Sequence, residues 1–337
     1  MARTTLDSME LGRDWIHLDT LPDLTLSMGK RPGDWVSETI PLPSPEDSGL
    51  LLALVCASVF RADRDWVPGA ASTWEVLACQ EHSRVVPGHR IFSHPSPPCG
   101  FCPACLAGSP SLCQDAQLRP SAPGWFSRHR ILHPWSARRG TLTLPSDLDA
   151  GAASLLEPLA RILRLERMFP RRNRILASGA DLPAALAGMA LEGPRRRVLL
   201  DPNSRFGTAT YGFHAVVPDA LSAREALDGP VDLILLFDGS PESVQTALDA
   251  LSPGTEVAAF VPWAPVSELA ERLWRMEASW TALCGTSPED WNAAARRLPA
   301  LADRLCTLPS AKLPLEEAHR AHGLLEKERE LLRVELA

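Results

Sequence analysis

A chain of 337 residues exceeds what one hydrophobic core usually organises, and 45% apolar with 22% charged residues is a globular composition, so two domains are expected and disorder is excluded. The formal net charge of -7 comes without a basic run, since the arginines of PRRNR and GPRRR are short and scattered, which argues against a nucleic-acid partner. No stretch reaches the roughly 18 uninterrupted apolar residues of a membrane span, and MARTTLDSMELGRDW is too polar for a signal peptide, so a cytoplasmic protein with no membrane partner is expected.

The first 23 residues carry Met9, Leu11, Trp15, Ile16 and Leu18 and read either as a docking element or as a segment packed on its own domain. From about residue 20 to 150, short apolar runs are split by proline and glycine (IPLPSPEDSG, VVPGHRIF, GTLTLPSD), the punctuation of a strand-rich domain. After Asp149 the period changes. GAASLLEPLARILRLERM has apolar residues at helical spacing, which predicts helix within residues 151–168. Strands and helices then alternate: RILASGA, DLPAALAGMALEG (helix), RRVLLDP, HAVVPD, REALDG (helix), VDLILLFDG, SPESVQTALDAL (helix) and TEVAAFVPW. That rhythm predicts right-handed crossovers and a doubly wound parallel sheet. The tail PLEEAHRAHGLLEKERELLRVEL reads as a helix followed by a short strand. The fold class is therefore α/β.

Four of the eight cysteines fall in CGFCPACLAGSPSLC: Cys99, Cys102, Cys105 and Cys113, spaced C-x2-C-x2-C-x7-C. Two-residue gaps let successive thiolates of a tight loop face one tetrahedral ion, and closed four-thiolate coordination leaves no position for substrate, so one structural zinc is expected. An iron–sulfur cluster is the alternative, because thiolates alone do not choose the metal. Cys56, Cys79, Cys284 and Cys306 read as small buried residues of a reducing compartment.

The order of several segments resembles the zinc-dependent alcohol dehydrogenases of the medium-chain dehydrogenase/reductase superfamily over nearly the whole chain. IPLPSPEDSGLLLAL is similar to that family's first proline-rich strand, VVPGHRIF to its PGDRV turn and LLEPLARIL to its EPLA helix. The cysteine spacing matches its lobe loop, VDLILLFDGSPESVQTALDALSPGTEVAAF its fourth and fifth Rossmann strands, and LPLEEAHRAHGLLEK its closing helix. The resemblance implies a GroES-like β domain over residues 1–150, completed by 307–337 and carrying the zinc lobe, packed on a Rossmann-like domain over 151–306. It also implies a catalytic zinc, NAD(P) and a homodimer formed through the Rossmann sheet edge, here TEVAAFVPW.

The residues depart from the family at both chemical centres. Phe60 stands for the ligand cysteine, Ala62 for the proton-relay hydroxyl, and Ala70 with Ala71 for the ligand histidine and its neighbouring glutamate; only Glu157 of EPLA is kept. One carboxylate does not make a catalytic zinc site, which needs three protein ligands and an open position. Cys56 and Cys79, or Gln80 and Glu81 in another register, are the residues from which a replacement site would be built. In the phosphate loop GADLPA, Gly179 is kept, Ala184 replaces the last glycine and Asp181 the middle one. A Cβ and a negative charge then stand where a pyrophosphate should meet a helix N-terminus, although the same aspartate makes a good cap. Gly179 and Asp201, the acid that would bond the adenosine ribose, are the remaining cofactor-binding residues.

Two readings follow. The first is a catalytically inactive scaffold that works as a binding, recognition or scaffolding subunit beside true enzymes of a bacterial biosynthetic pathway, with a protein or peptide partner, for example in recognising a peptide or carrier-bound substrate. The second is an NAD(P)H-dependent oxidoreductase that needs no catalytic zinc. His94, His129, His133 and His214 have no partners at metal-ligand spacing, and Trp66, Trp74, Trp125 and Trp263 read as packing residues or as the lining of a vacated cleft.

Overall fold

The computed structural model describes residues 9–11, 14–16, 25–28, 35–38, 49–61, 71–79, 84–94, 97–118, 126–170, 172–193, 196–207, 209–261, 268–283, 285–328 and 331–336. Ala62, Ala70, Trp66, Gln80, Glu81, Trp125, Trp263, Cys284 and Leu18 lie outside these residues.

Two short antiparallel pairs come first, Met9–Leu11 (β1) with Asp14–Ile16 (β2) and Thr25–Met28 (β3) with Trp35–Glu38 (β4). Leu50–Val59 (β5), Ser72–Cys79 (β6) and Arg90–Ser93 (β7) follow as an antiparallel meander. The near-continuous apolar run of β5 suits a strand covered on both faces, whereas in β6 Trp74, Val76 and Ala78 are buried and Glu75 between them is exposed. The cysteine loop carries Pro103–Leu106 (α1) and leads to Gln114–Leu118 (α2). Phe126–Ser127 (β8) pairs with β3, His129–Leu132 (β9) with β5, and after Pro134–Gly140 (α3), Thr141–Thr143 (β10) pairs with β7.

The helix predicted within 151–168 forms as two, Ala150–Ser154 (α4) and Leu156–Met168 (α5), hinged at Leu155 with φ -83° and ψ 7°. Pro158 supplies the reason: it lacks an N–H, and its ring clashes with the carbonyl four residues back, on Ser154, so the helix breaks there.

The parallel sheet is built by Arg174–Ser178 (β11), Leu182–Ala190 (α6), Arg196–Leu200 (β12), Ala215–Val217 (β13), Ala220–Leu227 (α7), Leu233–Leu236 (β14), Pro241–Asp249 (α8), Glu256–Ala259 (β15), Leu269–Arg275 (α9) and Ser279–Ala282 (β16). Its strand order is β13-β12-β11-β14-β15-β16, so the direction of winding reverses between β11 and β14 and opens a crevice at their C-terminal ends. TEVAAFVPW, expected at the sheet edge, forms β15 in the interior, paired with β14 on one side and β16 on the other. The edge strand on that side is Ser279–Ala282, whose four residues are too short to announce themselves in the sequence.

Pro288–Cys306 (α10), started by a Ser287–Asp290 capping box, crosses back. Ser310–Leu313 (β17), Ala321–Lys327 (α11) and Arg333–Leu336 (β18) end the chain, and β18 pairs antiparallel with β5 and parallel with β17. The C-terminal residues thereby complete the first sheet. The largest apolar cluster joins Phe60, Ala71 and Phe92 of that sheet to Leu155, Leu156 and Leu159 of the α4–α5 region and to Trp291 of α10. No helix among the described residues is long and apolar enough to cross a membrane.

Candidate functional site

Between Gly100 and Leu112 no residue is buried; in this stretch only the flanking Cys99 and Cys113 reach the interior, while Phe101, Leu106 and Leu112 point outward. The loop therefore has no apolar core of its own. What converges inside it is sulfur: the four Sγ atoms of Cys99, Cys102, Cys105 and Cys113 lie within 4.8 Å of one another, with Cys99–Cys105 and Cys102–Cys113 both at 3.9 Å. Zn–S bonds of about 2.3 Å in a tetrahedron place sulfurs ~3.8 Å apart, so the residues fit one ion with little movement. The backbone N–H of Cys99 donates to Cys113 Sγ and that of Cys102 to Cys99 Sγ, both at 3.2 Å, so the turn itself holds these sulfurs in place. The lobe is seated on the other half of the chain, where Ser111 packs so closely on Gly285 that a Cβ there would meet Ser111 Cβ at 2.4 Å. Arg164 of α5 donates to the Gly285 carbonyl and Arg139 of α3 to that of Cys99.

Where the resemblance implies a catalytic zinc, the described residues offer no ligand set. Phe60 and Ala71 are buried in the apolar cluster. Glu157 is buried too, but its Oε1 accepts from Arg161 Nε at 2.8 Å, one turn along the same helix, and from Thr286 Oγ1 at 3.5 Å. Trp291 Nε1 donates to Thr286 Oγ1 at 2.7 Å, and the indole stacks on His94 with centroids 4.4 Å apart. Glu157 Oε2 is buried without a hydrogen-bond partner among the described residues, which leaves one donor atom where three ligands are needed. Cys56 and Cys79 cannot rebuild the site together. Cys79 lies opposite Leu50 and Cys56 opposite Thr73, so roughly 20 Å of strand separates them at about 3.4 Å per residue. Burial pushes the Cys56 thiol up to about 12, the state of a core residue rather than a ligand. Among the described residues, the four-cysteine cluster is the only group of three or more metal-ligating side chains.

The crevice at the switch point holds a cavity of about 240 Å³, lined by Arg61, Gly179, Asp181, Asp201, Arg205 and Asp238 among others. Gly179 has φ +101°, and a Cβ there would meet the backbone nitrogen of Asp238 at 2.8 Å, so glycine is required by the neighbouring strand's loop as well as by the turn. Gly179→Ala is expected to destabilise the fold by about 2–4 kcal/mol, read as a fall in Tm on the order of 5 °C or more. Asp181 caps α6, its Oδ1 accepting from Leu182 N at 2.8 Å. Burial pushes its carboxyl up to about 6 against the pull of the Arg61 and Arg205 guanidiniums. Asp201 is buried and its Oδ2 accepts from Phe206 N at 2.8 Å, closing its own loop. Asp238 accepts from the Ser240 and Ser243 hydroxyls.

Sequence reasoning missed Arg61, Arg161, Thr286 and Trp291. Arg161 had a legible signal, its i,i+4 spacing from Glu157 on one helix face. Arg61 and Thr286 had none, because the carboxylates they meet are 120 and 129 residues away, and Trp291 reaches the site only through Thr286. His133 caps α3 and His214 Nδ1 accepts from Arg197 N, so both act in local structure. Trp74 is fully buried in the first sheet.

No family profile matches the sequence. Among curated proteins, 76 residues align at 34% identity with an uncharacterized zinc-type alcohol dehydrogenase-like protein of Escherichia coli, which covers 22% of this chain and 21% of that protein. This alignment thus spans about a fifth of that relative's length. Solved structures match over nearly the whole chain. An alcohol dehydrogenase of Thermotoga maritima has a TM-score of 0.75 at 18% identity, over 93% of this chain and 98% of that one. L-idonate 5-dehydrogenase of Escherichia coli has 0.75 at 19%, over 93% and 97%. Galactitol-1-phosphate dehydrogenase of Escherichia coli has 0.74 at 18%, over 93% and 99%. At such identities the likeness establishes the fold.

Proposed function

Since this chain carries the two-domain fold of the medium-chain dehydrogenase/reductase superfamily, a GroES-like β domain with a Rossmann-like domain, we propose from the state of its two chemical centres that it is a catalytically inactive binding, recognition or scaffolding subunit. It would act in the cytoplasm beside true enzymes, on a protein or peptide partner, with zinc held only by Cys99, Cys102, Cys105 and Cys113. The observation that carries this reading is Glu157: among the described residues it is the one ligand-type residue at the catalytic position, and Arg161 occupies its Oε1 at 2.8 Å. The cofactor seat supports it, because Asp181 puts a carboxylate where a diphosphate would lie.

Titration of the wild-type protein with NADH and NADPH, followed by nicotinamide fluorescence, is expected to show no saturable binding up to about 1 mM, an affinity of only ~4 kcal/mol. Saturation below that concentration overturns the proposal and favours hydride transfer without a catalytic zinc.

A further inference from the structure

Arg61, one residue beyond Phe60 at the end of β5, spends its guanidinium across the crevice. Nη1 donates to the carbonyl of Leu331 at 2.7 Å, and Nη2 to those of Leu325 at 2.5 Å and Glu328 at 3.0 Å. These carbonyls belong to the end of α11 and the approach to β18, so the tail of the chain fixes where the guanidinium sits. The same Nη1 stands 3.4 Å from Asp181 Oδ1, with the two side chains only 16% and 12% exposed. Asp181 in turn caps α6, a nine-residue helix buried along its whole length. A helix start of this kind, where the Leu182 N–H already holds the Asp181 carboxylate at the positive end of the dipole, favours an anion. Arg205 faces the same place, its Nη1 3.5 Å from the Ala180 carbonyl. Two guanidiniums and a helix N-terminus thus surround one carboxylate at the wall of a cavity.

We propose that the Asp181 carboxylate is an internal occupant of the anion seat on α6 and that Arg61 latches it there, so that this chain excludes diphosphate ligands by an autoinhibitory contact rather than by loss of the seat. The seat keeps most of its parts: Gly179 keeps its turn, Ala184 lets the helix meet the strand, and two guanidiniums face the carboxylate, while Pro183 in the first turn withholds one N–H.

The inference rests on the reading that the wild-type protein uses no dinucleotide, and the test separates the two. Asp181→Gly removes the occupant and restores the missing glycine. Asp181→Asn removes only the charge and retains a competent cap, which guards against a folding defect. Each variant is titrated with NADH by fluorescence and with inorganic pyrophosphate by thermal shift, alongside the wild type and with circular dichroism to establish folding. Asp181→Gly is expected to bind NADH at least about tenfold more tightly than the wild type, a difference of ~1.4 kcal/mol. Both variants are expected to gain a pyrophosphate-dependent rise in Tm that the wild type lacks. Folded variants that respond no more than the wild type overturn the latch while leaving the proposed function standing. Submillimolar NADH binding by the wild type itself overturns both.

Discussion

Cys102→Ser is expected to lower the zinc content from about one ion per chain to less than roughly a tenth of that, and to unfold residues 99–113 while the rest of the chain stays folded. The reason is the composition of the lobe. With no buried residue between Gly100 and Leu112, the metal is its core, and a loop whose apolar side chains point outward has nothing else to order it. In isolated structural zinc sites the ion contributes about 10–16 kcal/mol at neutral pH, far more than this loop's hydrogen bonds supply. The effect should also reach across the molecule, since Ser111 seats on Gly285 and the next residue, Thr286, bridges Trp291 and Glu157. Metal analysis by mass spectrometry reads the first consequence and limited proteolysis between Gly100 and Leu112 the second. Unchanged zinc content with an uncut lobe would show that the cluster does not hold the ion. A second equivalent of zinc in the wild type would count against the reading of the catalytic position.

Glu157→Ala is expected to destabilise the protein by about 3–5 kcal/mol, a fall of on the order of 10 °C in Tm, with zinc content unchanged at one per chain. Arg161 is 5% exposed and buried beside Glu157, so deleting the carboxylate takes from a buried guanidinium its ion-pair partner at 2.8 Å. Replacing both residues with apolar ones of similar volume, Glu157→Met with Arg161→Leu, should recover most of the loss, because a buried ion pair stabilises little beyond what well-packed apolar groups do. The opposite pattern, full stability with lost metal, would mean that Glu157 is a ligand. Thermal unfolding and metal analysis on the same samples distinguish the two.

Much of this was legible in the chain because it is local. Cysteine spacing, each strand–helix step of the alternation after Asp149 and the replacement of the middle glycine by Asp181 lie within about thirty residues or fewer, the range over which backbone period and loop geometry act. Legibility failed where a local pattern was overruled or absent. Pro158 divides into two helices a stretch that apolar periodicity marks only as helical. Ser279–Ala282 took the sheet edge expected of TEVAAFVPW, since a four-residue strand acquires its identity from the strand it joins.

The sequence by itself determined the four-thiolate cluster, the two-domain α/β fold and the absence of a ligand cysteine and histidine at Phe60 and Ala70. Only the tertiary structure decided what meets the residues at these positions: Arg161 and Thr286 on Glu157, Arg61 on Asp181, and the roughly 20 Å of strand that keeps Cys56 and Cys79 apart. The physical reason is that charge pairing in a closed core depends on distance through space. Arg61 and Asp181 are 120 residues apart in the chain and 3.4 Å apart in the fold.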